Sequence, residues 1–340
     1  MYQYTEFDRQ FVRQRAAQYR DQLERHLAGT LGEEEFRPLR LQNGWYVQRH
    51  APMLRIALPY GDLGSAQLRT LARIGREFDR GYGHFSTRQN LQFNWIPLDR
   101  SADVMEALAA VNMHGIQTSG NCIRNITSDA LAGVAPDEIV DPRPYCELLR
   151  QWSTLHPEFA FLPRKFKIAV SGAAEDRAAI AWHDIGLQLL KNSAGEIGFK
   201  VWVGGGMGRT PVIGTVFREF LPWQQILVFI EAVVRVYNRY GRRDNLYKAR
   251  IKILVKAEGQ KFIDAVNAEF SHILQDDLEG TAHLLPVAEL ERIAESFRLP
   301  QGVSANQAAG DEAMRLDAPP AYSRWLERNV HGPKLPANAP

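Results

Sequence analysis

Met53-Leu54-Arg55-Ile56-Ala57-Leu58 decides the fold: Leu54, Ile56 and Leu58 alternate onto one face, and Arg55 is the single charge on the other. A helix is expected over residues 65–79, with Leu68, Leu71, Ala72, Gly75 and Phe78 on one stripe. A second strand is expected over 85–95, where the even positions read Ser86, Arg88, Asn90, Gln92 and Asn94 and the odd ones are mostly apolar. Strand, helix and strand form a β-α-β unit, extended by a helix near 101–111 and a strand near 113–118. The polar row of the second strand consists of amides, a hydroxyl and a guanidinium. Such groups suit carboxylates or phosphates. A solvated strand face is the competing reading.

Leu162-Pro163-Arg164-Lys165-Phe166-Lys167 begins another strand, over 165–171, in which alternation puts Lys165 and Lys167 on the same face. Adjacent ammonium groups repel, so either an anion sits between them or the lysines blunt an exposed edge strand. The loop Thr118-Ser119-Gly120-Asn121-Cys122-Ile123-Arg124-Asn125 is rich in small residues that expose backbone N–H groups, although a plain turn would read the same way. Arg55, Arg88, Arg124, Lys165 and Lys167 are thus candidate cations for a polyanionic cofactor or a small oxyanion.

In order and approximate spacing, Met-Leu-Arg at 53–55, Ser-Thr-Arg-Gln-Asn-Leu-Gln-Phe at 86–93, the loop 118–125 and the run 162–167 resemble the signature segments of the sirohaem-dependent nitrite and sulfite reductase haemoproteins. The resemblance runs from about residue 40 to about 255. It implies an α+β fold: a ferredoxin-like half domain followed by a mixed α/β sirohaem-binding domain. The division expected is 1–50 as N-terminal helix and hairpin, 51–124 as half domain, 125–300 as sirohaem-binding domain and 301–340 as connector.

By the same resemblance, Arg55, Arg124, Lys165 and Lys167 fall where the family binds sulfite or nitrite, with the lysines also delivering protons. Ser86 and Arg88 fall where it binds sirohaem carboxylates, and Asn121 is placed with them. His84 stands where some relatives carry arginine. Gly204, Gly205 and Gly206, in Val203-Gly204-Gly205-Gly206-Met207-Gly208-Arg209, are expected beside sirohaem. The run lacks the last glycine of the dinucleotide pattern, which argues against a nicotinamide site. Arg243, Asn245, Lys248 and Arg250, at the start of an expected helix, resemble a further cofactor-lining element; a solvated or nucleic-acid-facing basic helix is the alternative.

The resemblance implies six-electron reduction of sulfite to sulfide or nitrite to ammonia, with ferredoxin or a flavoprotein as electron donor. The family also holds a 4Fe-4S cluster through C-x5-C and C-x3-C. The only cysteines here are Cys122 and Cys146, which match neither pair. The expectation is therefore a truncated or partial version of such a reductase, inactive alone, or a non-catalytic sirohaem- or anion-binding half that needs a partner carrying those cysteines. A sheet edge left open by truncation would be a liability.

Composition only bounds the reading. A chain of 340 residues with 45% hydrophobic content has room for two or three domains, and a formal charge of +2 does not point to nucleic acid. An RNA-binding sheet would need aromatics on the ligand face, whereas Phe85, Phe93 and Trp95 alternate opposite Arg88. Two cysteines argue against a disulfide scaffold, and no apolar run approaches the roughly eighteen residues of a membrane span. Without a signal-peptide core after Glu6, cytoplasmic residence is expected. The nine histidines are scattered singly, so no metal site is expected, and Cys122 has no evident base to make it a nucleophile.

Elsewhere the sequence suggests an amphipathic helix over 4–28, a hairpin from Leu39 to His50 around Asn43-Gly44 and an α/β region with a segment at 180–190 and a strand at 198–203. Helices are expected near 222–239, 245–256, 259–274 and 319–329. No internal repeat is present.

Overall fold

The computed structural model describes residues 2–276, 283–297 and 319–329. Helix α1 (Glu6–Leu27) is started by a reciprocal cap: the Asp8 N–H donates to the Thr5 hydroxyl at 3.2 Å, and the Thr5 N–H to the Asp8 carboxylate at 2.9 Å. The hairpin expected over 39–50 is replaced by a second helix, α2 (Glu33–Gln42), followed by the short strand β1 (Trp45–Tyr46). Asn43-Gly44 ends that helix instead of turning a hairpin. Gly44 has φ +79° and donates to the Leu41 carbonyl at 3.0 Å, the left-handed stop typical of a helix C-terminus.

The first sheet contains β1, β2 (Met53–Ala57), β3 (His84–Phe85) and β4 (Asn90–Phe93) in the antiparallel order β1-β2-β4-β3. The strand expected over 85–95 is thus a tight hairpin. Its turn is set by the Ser86 hydroxyl, which accepts the Arg88 N–H at 3.3 Å, and by Gln89 at φ +50°. Helices α3 (Ser65–Phe78) and α4 (Ser101–Ala109) cover one face with α1. Leu54, Ile56, Leu91 and Phe93 enter that core with Tyr19, Leu71, Ile74 and Leu108. The stripe on α3 is rotated from the expected one: Gln67, Leu71, Ile74 and Gly75 are buried, whereas Leu68 is 51% exposed. No strand forms over 113–118. There Gly115 packs so close to β2 that a Cβ would lie 2.9 Å from the Arg55 carbonyl, and Gln117 turns the chain at φ +63°. At the outer edge β3 leaves Phe85 60% exposed.

The second sheet, β5 (Ile168–Ser171), β6 (Ile185–Lys191), β7 (Ile197–Val203) and β8 (Thr215–Pro222), runs in sequence order, with β5 and β6 parallel and the other pairs antiparallel. It shares a core with α5 (Arg143–Ser153), α6 (Ile226–Tyr240), α7 (Ile251–Glu258), α8 (Gln260–Gln275) and α9 (Val287–Glu295), built on Phe166, Leu187, Phe199, Phe229 and Val233. The helix expected from 245 starts only at Ile251, because 241–250 is a loop. A further helix spans Pro320–Asn329; residues 301–318 and 330–340 of the expected connector lie outside the described residues. No helix among the described residues is long and apolar enough to cross a membrane.

Two devices join the layers. Residues 122–127 run parallel to 166–170: the Arg124 N–H donates to the Phe166 carbonyl at 2.8 Å, the Phe166 N–H to that of Cys122 at 3.0 Å, and the Val170 N–H to that of Thr127 at 2.9 Å. The buried Asn125 amide then donates to the carbonyls of Leu58, Arg88 and Gln89 at 3.1, 3.3 and 3.0 Å. Replacing Asn125 with Ala strands these buried acceptors, and a loss of about 2 kcal/mol in urea unfolding is expected. An unchanged urea midpoint would show that Asn125 does not hold the seam.

Candidate anion and cofactor site

At the seam lies a cavity of about 270 Å³ lined by Arg55, Ser86, Thr87, Arg88, Asn90, Gln92, Gln117, Arg124, Lys165 and Lys167. The antiparallel register brings Arg55 opposite Gln92 on the face of the first sheet turned away from its core. Its Nε donates to Gln92 Oε1 at 2.7 Å and its Nη1 to the Thr118 carbonyl at 3.2 Å. Arg124 donates to that same carbonyl at 2.8 Å and to Gly120 O at 2.8 and 3.0 Å. Two guanidinium groups therefore share one neutral acceptor.

Arg88 spends its Nη atoms on Thr127, Asn125 and Ile168 across the seam, leaving its Nε buried and without a partner. Lys165 and Lys167 occupy the opposite wall, while Phe166 between them is fully buried, as alternation requires. Among the described residues none of these five cations forms a salt bridge.

The crowding marks the titration of the site. Burial, then Arg250 and Arg88, push the Lys167 ammonium down to about 8, with Asp184 opposing the change. Burial and the neighbouring Arg124, Arg164, Arg250 and Arg55 also lower Lys165. Arg88 is lowered to about 9, chiefly by burial. Burial and the positive charges of Arg88, Lys167 and Arg250 hold His183 at about 3, neutral at physiological pH.

The other expected residues sit elsewhere. Arg250 is next to the cavity wall but is paired with the buried Asp184 at 2.7 and 3.1 Å. Gly204 is at φ +84° and donates to the Asp184 carbonyl at 2.9 Å. Gly205 and Gly206 meet the protein itself: a Cβ would come within 2.4 Å of the Ala181 carbonyl at the first and 2.8 Å of Lys252 Cδ at the second. The Lys252 ammonium fills the glycine turn, donating to the Thr210 carbonyl at 2.6 Å. Asn121 lines a separate cavity of about 620 Å³ with Cys122 and Phe161.

Arg243, Asn245 and Lys248 are not gathered into the cation cavity. Arg243 donates to the Asn238 carbonyl at 2.8 Å, Asn245 accepts the Tyr247 N–H at 3.0 Å, and Lys248 is exposed. Sequence reading missed Gln117, Asp184 and Lys252. Only Lys252, at the end of the basic stretch, carried a usable signal.

Fold and site define an α+β protein whose two layers enclose a cationic, carboxylate-poor cavity. Residues 46–111 match the nitrite/sulfite reductase ferredoxin-like half domain, and 119–274 match the nitrite and sulphite reductase 4Fe-4S domain. The chain belongs to the nitrite and sulphite reductase family.

It is 32% identical over 219 residues to sulfite reductase [ferredoxin] 1 of Mycolicibacterium paratuberculosis, covering 64% of this chain and 39% of that protein. It is 30% identical over 234 residues to the assimilatory ferredoxin-dependent nitrite reductase of Haloferax mediterranei, covering 64% and 40%. The structure of the Mycobacterium tuberculosis NirA protein aligns with TM-score 0.68 at 27% identity, over 74% of this chain and 50% of that one. The chain thus spans about two fifths of the length of the curated relatives it matches.

The family binds sirohaem and a 4Fe-4S cluster. Sirohaem is a polycarboxylate, and the unpaired cations and the orphaned Arg88 Nε fit such a group. The cluster does not fit: it needs four thiolates. The chain has two cysteines, the Cys122 thiol donates to the Ser119 carbonyl at 3.2 Å, and burial raises both thiols.

Below about pH 8 Lys167 is an ammonium and attracts anions; above it the amine does not, so anion binding should weaken as pH rises through that value. Lysine ¹³Cε NMR, with Lys167 assigned by its loss in Lys167→Met, should give a midpoint near 8 that nitrite moves upward. A midpoint at the ordinary lysine value would contradict the electrostatics described.

Proposed function

We propose that this chain forms the anion- and sirohaem-binding part of an oxidoreductase that reduces sulfite to sulfide or nitrite to ammonia by six electrons. The single observation that carries this reading is the ring of Arg55, Arg88, Arg124, Lys165 and Lys167 around one cavity, none of them in a salt bridge among the described residues. Sirohaem, when bound, supplies an iron for the oxyanion's sulfur or nitrogen and a route for electrons. Arg55 and Arg124, already fixed by the Thr118 carbonyl, hold the anion's oxygens without reorganising as charge develops. Lys165 and Lys167 hold protons at Nζ next to those oxygens, and a lowered ammonium pKa makes that proton easier to give. Arg88 Nε and the Ser86 hydroxyl face cofactor carboxylates.

Ferredoxin or a flavoprotein is the proposed donor, in line with the names of the ferredoxin-dependent relatives. A second reading is favoured by the cysteine count: a non-catalytic sirohaem- or anion-binding half, completed by a carboxy-terminal half or partner subunit bearing the cluster cysteines.

Lys165→Met and Lys167→Met should each weaken nitrite binding about tenfold in calorimetry, the loss of one charge-assisted hydrogen bond. Neither should change the sirohaem absorbance of protein purified from sirohaem-producing cells. Parallel loss of anion and sirohaem would overturn the division of roles between lysines and Arg88.

A further inference from the structure

Asp184 is outside the cavity lining, yet it touches three of the elements around it. Its side chain is 1% exposed. One carboxylate oxygen accepts the Lys167 N–H at 2.9 Å, and the other accepts Arg250 Nε and Nη2 at 3.1 and 2.7 Å. Its carbonyl takes the Gly204 N–H at 2.9 Å, and the next residue, Ile185, donates to the Lys167 carbonyl at 3.1 Å. Both backbone polar groups of Lys167 are therefore held by Asp184-Ile185, at the point where β5 and β6 become parallel.

The charged groups acting on Lys167 are Arg250, Arg88 and Lys165 on one side of the balance and Asp184 on the other. The adjacent His183 is neutral at physiological pH. We infer that Asp184 is a positioning residue: it fixes the Lys167 backbone and cancels the charge of Arg250, so that Lys167 meets an anion as an ammonium ion and not as an amine. Arg250, by this assignment, is the covered cation of the site, and Asp184 is what covers it. The inference rests on the proposed role of Lys167 toward anions, but its first readout needs neither sirohaem nor turnover.

The test follows the Lys167 ¹³Cε titration in the whole chain for Asp184→Asn, Arg250→Met and the double variant. Asp184→Asn should lower the midpoint by about one pH unit, because Arg250 then acts on Lys167 unopposed. Arg250→Met should raise it above that of the unaltered chain, because Asp184 is left to Lys167 alone. The double variant should return close to the starting value.

That ordering is specific to charge cancellation. A merely structural role would move all three variants in one direction or leave the midpoint unmoved, and either result overturns the assignment. Should Asp184→Asn fail to fold, the upward shift in Arg250→Met, which keeps the Asp184 contact to the Lys167 N–H, still decides the question. Nitrite affinity at pH 7.5 should fall about threefold in Asp184→Asn, in step with the lost ammonium. If no variant binds nitrite while the midpoints keep the expected order, the functional proposal fails and the positioning role of Asp184 stands.

Discussion

Like charge without counter-charge is the constraint on which the rest of the structure depends. Five cations line a cavity of about 270 Å³, and what they find in the protein is carbonyl, amide and hydroxyl oxygen. Partial burial of such groups is unfavourable. The lowering of Lys165, Lys167, Arg55 and Arg88 shows that cost at four of the five positions. Elsewhere the chain pairs its buried guanidinium groups: Arg150 with Glu147 and Asp8, Arg40 with Glu33. A carboxylate at this cavity would remove the strain and, with it, the attraction for an anion.

The scaffold makes this charge density possible by keeping each hydrophobic core on the far side of its own layer. Leu54 and Ile56 go one way and Arg55 the other; Phe166 goes one way and the two lysines the other. The parallel pairing of 122–127 with 166–170 then brings Arg124 beside those lysines, and the Asn125 amide locks the Arg88 turn against them. Cations so placed are carried on strands and short fixed loops, which limits how far repulsion can spread them. Preorganisation of this kind is what electrostatic stabilisation requires.

What was legible in the sequence follows from range. Period-two alternation is a local property, and it placed Leu54, Ile56, Arg55, Lys165, Phe166 and Lys167 on the faces they occupy. The polar row of 86–94 reads as one strand because every even position from Ser86 to Asn94 is polar, straight through the turn. Only the Ser86 hydroxyl and the left-handed Gln89 reveal the reversal. Asn43-Gly44 suits a hairpin or a helix stop equally, and burial of Phe36 on α2 decided for the helix. Asp184 was invisible because its partners Lys167 and Arg250 are distant in sequence and meet only when β5, β6 and the 241–250 loop are assembled. As a sequence, the glycine run suits close approach to a ligand, whereas in the fold Gly205 and Gly206 are filled by the 181–183 carbonyls and by Lys252.

The cations at the seam should weaken the fold on their own, and a bound anion should offset that cost. The measurement that tests this most directly is the unfolding free energy of the chain and of Lys167→Met, at low ionic strength, with and without nitrite. The variant should be the more stable of the two without the anion and should gain less from it, as expected where function is kept at the expense of stability. A variant that is less stable than the unaltered chain, and that nitrite stabilises equally, would contradict the claim.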